Sequence, residues 1–524
     1  MTLFVNGKVF TGRGEDDFAT SFRVVDGRFV TVGDNVLAEG DTVVDLGGRT
    51  VLPGLLDVHT HPAVLTSLAG AVNCLPPEVT SLDQLLDRLR THPDLGKGPE
   101  DWIDGYGYDE SKYPERRHPT ARDLDQVSAT QPVFVRRCDG HSAACNGRAL
   151  QLAGITRDTP DPPGARFERD ADGEPNGVLT ELGAREAVEA ARPTASYDRR
   201  VRNLAALDRH YAERGIVAVG DMMATTLPEP LSTFRDAERI GLRQQCALYY
   251  AWEHGVPELT DDDRRGRIKI AGVKLFMDGA YSNRTAWVAE AYPDSHDHGL
   301  RLTTDEQAFA AAEWARRNEV QVAIHAMGDA AINRVLDLFA DQEPWLTDRP
   351  CIRIEHASLV SPDMIARIAS ARMTIAVISH TIFYFAEYDS YERNLTHSQA
   401  RVAYPIKSFY EGLPYAALAS DCPATAWSDA DNVFVSVKAA VTRQAYTGAD
   451  IGSHEATTVP QALLLYTGRA RGIAPLDGVG LIDDGFEASF VVLDRDVFTV
   501  PADAIDEVRV LETWIAGDRV YSAE

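Results

Sequence analysis

Two histidines separated by one residue, His59-Thr60-His61, close the apolar run GLLDVHTH (54–61). Side chains alternate along an extended strand, so both imidazoles leave the same face and can chelate one divalent cation. A lone H-x-H among 14 histidines carries little weight, because isolated histidines are mostly surface or core residues. Three further apolar runs end in the same chemistry: VQVAIHAMGD (320–329) with His325, CIRIEHAS (351–358) with His356, and YAALASD (415–421) with Asp421. Four histidines and an aspartate at the ends of separate strands make independent burial a coincidence. Nitrogen and oxygen donors without thiolate suit zinc, and by ligand type also manganese, iron or nickel.

Lys274 lies inside AGVKLFMDG (271–279), where a buried amine is costly unless paired, neutral or modified. Carboxylation by CO2 would turn it into a carbamate bridging two metals. An ammonium paired with Asp278, or one that contacts substrate, is the alternative, and the pattern favours neither. Imidazole ligands need an acceptor on their second nitrogen, and Asp57, Glu355, Asp329 and Asp278 are near enough in sequence. Alternation with His356 places Glu355 on the outer face, so Asp329 and Asp278 are preferred.

These residues require a scaffold that gathers strand ends. The runs GIVAVGD (215–221), CALYYAW (246–252) and MTIAVISH (373–380) complete a set of eight. Helical stretches at 306–318, 332–340 and 361–371 fall between the later ones, the last opened by Ser361-Pro362-Asp363 as N-cap and first-turn proline. This alternation predicts an α/β fold, a (β/α)8 barrel over residues 51–470, with its chemistry at the C-terminal ends of the strands. The connection from strand one to strand two far exceeds an ordinary βα loop and predicts an inserted subdomain at about 63–200, placed to cap the pocket.

That insertion carries β-like runs at 101–109 and 131–141 and a Pro/Gly-rich stretch at 158–167. Trp102, Tyr106, Tyr108, Asp109, Asp139 and His141 could line an apolar pocket with a few polar groups, although each aromatic taken singly is more often core. Trp102, Asp139 and His141, with Arg284 and His380 from the barrel, are the substrate-binding candidates, and Glu181 is a weaker one. Residues 1–50 alternate β-rich runs with Asn-Gly and Asp-Gly turns, and 471–524 repeat the style, which predicts one small β-sandwich domain built from both ends of the chain.

The 524 residues carry 52 basic and 79 acidic side chains, a net charge of −27 without a Lys/Arg block, which disfavours a nucleic-acid partner. No 18-residue uncharged apolar run marks a membrane span, and the N-terminus lacks the pattern of a signal peptide, so a cytoplasmic location is expected. Six scattered cysteines without a C-x-x-C pair read as free thiols, Cys422 directly following Asp421.

The stretches PGLLDVHTHP, PTARDLDQV, PVFVRRCDGHSAACNGRALQLAGI, NGVLTE, KLFMDGAYSNRTA, HAMGDAAINRVLD, RIEHASLV and LASDCPA, with LIDDGFEASFVVLD near the end, resemble the amidohydrolase superfamily. More narrowly they resemble the amidohydrolase-3 group that includes N-substituted formamide deformylases. The resemblance implies His59 and His61 on a buried metal, Lys274 as a carbamate bridge, His325 and His356 on a second metal, and Asp421 as ligand and catalytic proton shuttle. It also implies one or two divalent ions, zinc foremost, and a small-molecule amide whose C–N bond is hydrolysed by metal-activated hydroxide. Two departures stand out. Ser489 replaces an aspartate common in the terminal motif, and AVISHTI (376–382) replaces a strand-seven segment that is often Q-P-x-H. His380 there could contact substrate or sit at the core edge, beside an aromatic wall of Phe383, Tyr384 and Phe385.

The same site could hydrolyse a cyclic imide, an N-acyl amino acid, a carbamate or an ester. A reading of another class is a metal-free, non-catalytic barrel that only binds. A homo-oligomer, such as a dimer, is left open by the sequence.

Overall fold

The computed structural model describes residues 1–34, 36, 40–138 and 140–523. They form two compact units, Met1–Val64 with Val201–Cys422 and Ala430–Glu524, and Leu65–Arg200 with Pro423–Asp429.

At the centre of the first unit eight parallel strands pair in sequence order: β1 (Leu55–Thr60), β2 (Ile216–Asp221), β3 (Gln245–Ala251), β4 (Ile268–Phe276), β5 (Gln321–Ala326), β6 (Ile352–His356), β7 (Ile375–Ser379) and β8 (Ala416–Leu418). Just beyond β8 the sheet closes on β1, where the Asp421 N–H donates to the His59 carbonyl at 2.9 Å and the His61 N–H to the Cys422 carbonyl at 2.9 Å. The strands are buried almost throughout, which explains why they read as continuous apolar runs rather than alternating ones. Gly54, ahead of β1, permits close packing, because a Cβ there would come within 2.5 Å of the Val217 side chain.

Helices Asp305–Arg317, Asp329–Phe339 and Pro362–Ser370 follow β4, β5 and β6. Ser361 caps the last of these by accepting from the Met364 N–H at 3.3 Å. Two further sheets of this unit are built from the chain's ends. One holds Thr2–Val5, Ser21–Val25, Arg28–Gly33 and Thr42–Asp45, and the other pairs Lys8–Phe10 and Thr50–Pro53 with Phe490–Leu493, Val510–Ile515 and Asp518–Ser522. Their shared core includes Phe4, Phe22 and Phe490. Ser489 donates to Glu487 at 2.7 Å and accepts from the Ala516 N–H, so its role is local to this sheet.

The second unit has a six-stranded mixed sheet whose central strands are Ile103–Tyr108, Val133–Arg137 and Ala143–Cys145. Helix Leu82–Leu89 buries Leu82, Leu85, Leu86 and Leu89 at helical spacing in one core with Ile103, Val133 and Val135. Residues 423–429, which follow the eighth barrel strand, belong to this unit, a feature with no signal in the sequence pattern. Among the described residues no helix is long and apolar enough to cross a membrane.

Candidate metal centre

Strands β1, β5, β6 and β7 and the turn after β8 bring five imidazoles and a carboxylate together. His59 is the hub: its ring centre lies 5.6 Å from that of His61, 4.9 Å from His356 and 4.9 Å from His380. His356 in turn lies 4.3 Å from His325 and 4.8 Å from His380. Asp421 Oδ1 is 2.7 Å from His61 Nε2 and 3.0 Å from His59 Nε2, contacts that need a proton or a cation between nitrogen and oxygen. Donor atoms of His59, His61 and Asp421, and separately of His59, His356 and His380, lie within 4.8 Å of one another.

Local backbone geometry produces this convergence. Asp421 has φ +56°, a left-handed conformation that turns the chain directly after β8. His356 and Ala357 have φ +71° and +42°, which ends strand alternation at Glu355. Glu355 and His356 therefore both meet His59, and the expected outward placement of Glu355 is wrong. Its side chain is fully buried, with Oε2 2.6 Å from His59 Nδ1 and Oε1 accepting from Arg353 Nε at 2.6 Å. Arg353 is itself buried; it donates to the Tyr249 hydroxyl at 2.7 Å and the Val58 carbonyl at 2.8 Å, and Tyr249 donates to Gln321. A polar column thus runs through the barrel interior to His59.

The other expected acceptors hydrogen-bond chiefly to main-chain N–H groups. Asp329 accepts from the Ala289 N–H at 2.8 Å. Asp278 accepts from the backbone N–H groups of Met327, Gly328 and Trp287 and lies 3.6 Å from His325. Asp57 accepts from the Ser420 hydroxyl and N–H. Burial raises the carboxyls of Asp278 and Asp57 to about 7. Asp221, at the end of β2, was not singled out by its sequence context. It is fully buried, accepts from the N–H groups of Ala63 and Met223, and feels the charge of His61.

Lys274 on β4 is fully buried, with Nζ 5.3 Å from the centre of the Phe276 ring. Burial lowers its amine to about 8 against the opposing pull of Glu355 and Asp421. These carboxylates, rather than Asp278, are its principal counter-charges. Burial, followed by the charge of Lys274, lowers His325 to about 3, and burial and the neighbouring imidazoles depress His356 well below the usual histidine range. Burial alone would raise Asp421, yet His59 and His61 hold it well below the ordinary carboxyl value. Glu355 is likewise held low, because Arg353 and His59 outweigh its burial.

Arg284 donates to Asn394 Oδ1 at 2.9 Å and approaches the Pro293 carbonyl. In the second unit the Trp102 ring packs in a core with Phe134, 4.4 Å from the Arg192 guanidinium, and His141 Nδ1 is 3.3 Å from Glu181 Oε2. Asp139 lies outside the described residues.

The donor set fits a divalent cation. Neutral imidazoles and an ionised carboxylate are what such an ion takes, and His61 Nδ1, His356 Nδ1 and His380 Nε2 are buried without a hydrogen-bond partner among the described residues. A closed parallel barrel with this cluster at its strand ends is the framework of metal-dependent hydrolases. The sequence model of the Amidohydrolase family matches residues 42–521, and the chain belongs to that family, whose members are metal-dependent hydrolases of carbon–nitrogen bonds. It is 27% identical over 536 residues to the N-substituted formamide deformylase of Arthrobacter pascens, covering 98% of this chain and 97% of that protein. It is also 27% identical to the putative amidohydrolase YtcJ of Bacillus subtilis, covering 91% of this chain and 90% of the relative. Among solved structures, an uncharacterized metal-dependent hydrolase of Pyrococcus horikoshii shares the fold with a TM-score of 0.75 at 24% identity, over 96% of this chain and 99% of that one.

Proposed function

We propose that this chain hydrolyses an N-substituted formamide or a related small amide, with zinc as the resident ion. The observation that carries the chemistry is Asp421: one buried carboxylate oxygen within hydrogen-bonding distance of two imidazoles that would face the ion. The formamide reading is supported by full-length similarity to the Arthrobacter enzyme.

His59, His61, His325, His356 and Asp421 would hold the metal, with Lys274 as a bridging carbamate if two ions bind. A divalent ion there supplies Lewis acidity, lowering the pKa of water and polarising the substrate carbonyl. In the overall balance an amide R–NH–CHO and water give R–NH2 and formic acid. Asp421, held ionised by its two imidazoles, takes the proton from the attacking water and delivers it to the departing nitrogen. An amide anion is a poor leaving group, so that delivery is what allows the C–N bond to break. Glu355 fixes His59 through Nδ1 and leaves Nε2 for the metal side.

The test is a substrate panel assayed on zinc-loaded protein for amine and formate release, with cyclic imides, N-acyl amino acids, carbamates and esters alongside. The formamides are expected to turn over fastest, and a faster competitor class would reassign the substrate. His59→Ala and Asp421→Asn are expected to abolish turnover in protein that still folds. Near-normal rates in either would overturn the site.

A further inference from the structure

Beyond the ligands implied by the family resemblance, and resting on the metal-dependent reading above, we propose that His380 at the end of β7 is itself a metal ligand, bound through Nε2 beside His59 and His356. Its Nδ1 lies 2.9 Å from the Ala419 carbonyl. A carbonyl oxygen only accepts, so Nδ1 carries the hydrogen, and a neutral ring then keeps its lone pair on Nε2.

Nε2 is buried and, among the described residues, has no hydrogen-bond partner. A buried acceptor left without a partner is unfavourable, and native structures rarely retain one without a purpose. The ring is also prevented from turning away, because it stacks on Phe383 at 5.0 Å with 21° between planes while Nδ1 is tied to the backbone. One donor atom from each of His59, His356 and His380 falls within 4.8 Å of the others, a spacing that a single cation can bridge. A second nitrogen donating to a main-chain carbonyl is the usual arrangement of a metal-bound histidine.

A substrate-contacting His380 would look similar in position but differs in what it controls. The experiment is titration of chelator-treated full-length protein with Co2+, following the visible absorption of the bound ion, in wild type, His380→Ala and His380→Cys. His380→Ala is expected to weaken cobalt binding by at least about tenfold and to alter the visible spectrum. His380→Cys, which substitutes a thiolate donor, is expected to add a near-ultraviolet thiolate-to-cobalt charge-transfer band and guards against loss of binding through misfolding. Cobalt affinity and spectrum unchanged in His380→Ala, with no such band in His380→Cys and only KM altered, would overturn the assignment and leave the hydrolase reading intact. If wild type binds cobalt with His380 engaged yet hydrolyses none of the amide panel, the substrate reading fails and the ligand assignment stands. A wild type that takes up no cobalt overturns both.

Discussion

At the scale of single residues, the histidines were legible because their type is rare at the end of an apolar run, while the group that orients His59 was not. Glu355 was misplaced because strand alternation was extended through a residue that adopts φ +71°, which sequence alone does not reveal. Its position beside Arg353 makes a sharp test. Glu355→Gln preserves shape but removes the negative charge, so His59 loses its strongest acceptor and Arg353 becomes a buried, poorly compensated cation. Loss of such an orienting partner typically costs 10–100-fold in metal affinity. Breaking one side of a buried ion pair typically costs about 3–5 kcal/mol in stability. We expect both effects together, read by metal titration and by denaturant unfolding of the metal-free protein. A variant that unfolds like wild type and binds metal equally well would show that the column through Arg353 does not support the site.

At the scale of elements, all eight barrel strands were legible because a strand buried on both faces reads as an uninterrupted apolar run, bounded here by glycine or polar residues. Helix Tyr197–Glu213 shows what such patterns omit. Near its C-terminal end His210 forms an ion pair with the buried Asp431, and Arg214 reaches the same carboxylate at 3.5 Å. Asp431 raises the pKa of His210 above its ordinary 6.5, chiefly through its charge. A raised folded-state value stabilises the protonated form. The contribution is full below about 6.5 and is lost as pH rises through the raised value. We therefore expect the melting temperature of wild type, relative to His210→Gln, to decline as pH rises above about 6.5 and through the raised value. Partial exposure of His210 keeps the effect modest. A difference independent of pH would mean that the pair contributes through packing alone.

At the scale of the molecule, the β character of both chain ends and their joining in one unit were read from their turns, but the register in which they pair was not. Tight turns identify hairpins, whereas the register between strands more than 400 residues apart is set by packing. Phe490 carries that long-range junction: its ring lies 5.2 Å from Phe4, 5.0 Å from Phe22 and 5.4 Å from Trp514, so aromatic groups from both ends meet on it. Its strand is hydrogen-bonded to Thr50–Pro53, which runs into β1 through Gly54, two steps of backbone from the strand that bears His59. Phe490→Ala would leave a cavity at a fully buried position, and such truncations cost about 3–5 kcal/mol. Because β1 is anchored at the same junction, we expect this loss to appear as a lower melting temperature for the barrel itself, with hydrolytic activity and the first unit's near-ultraviolet signal lost in one step. An early transition confined to the terminal sheets, with activity retained above it, would instead show that the ends unfold independently and that the barrel holds its strand-one histidines without them.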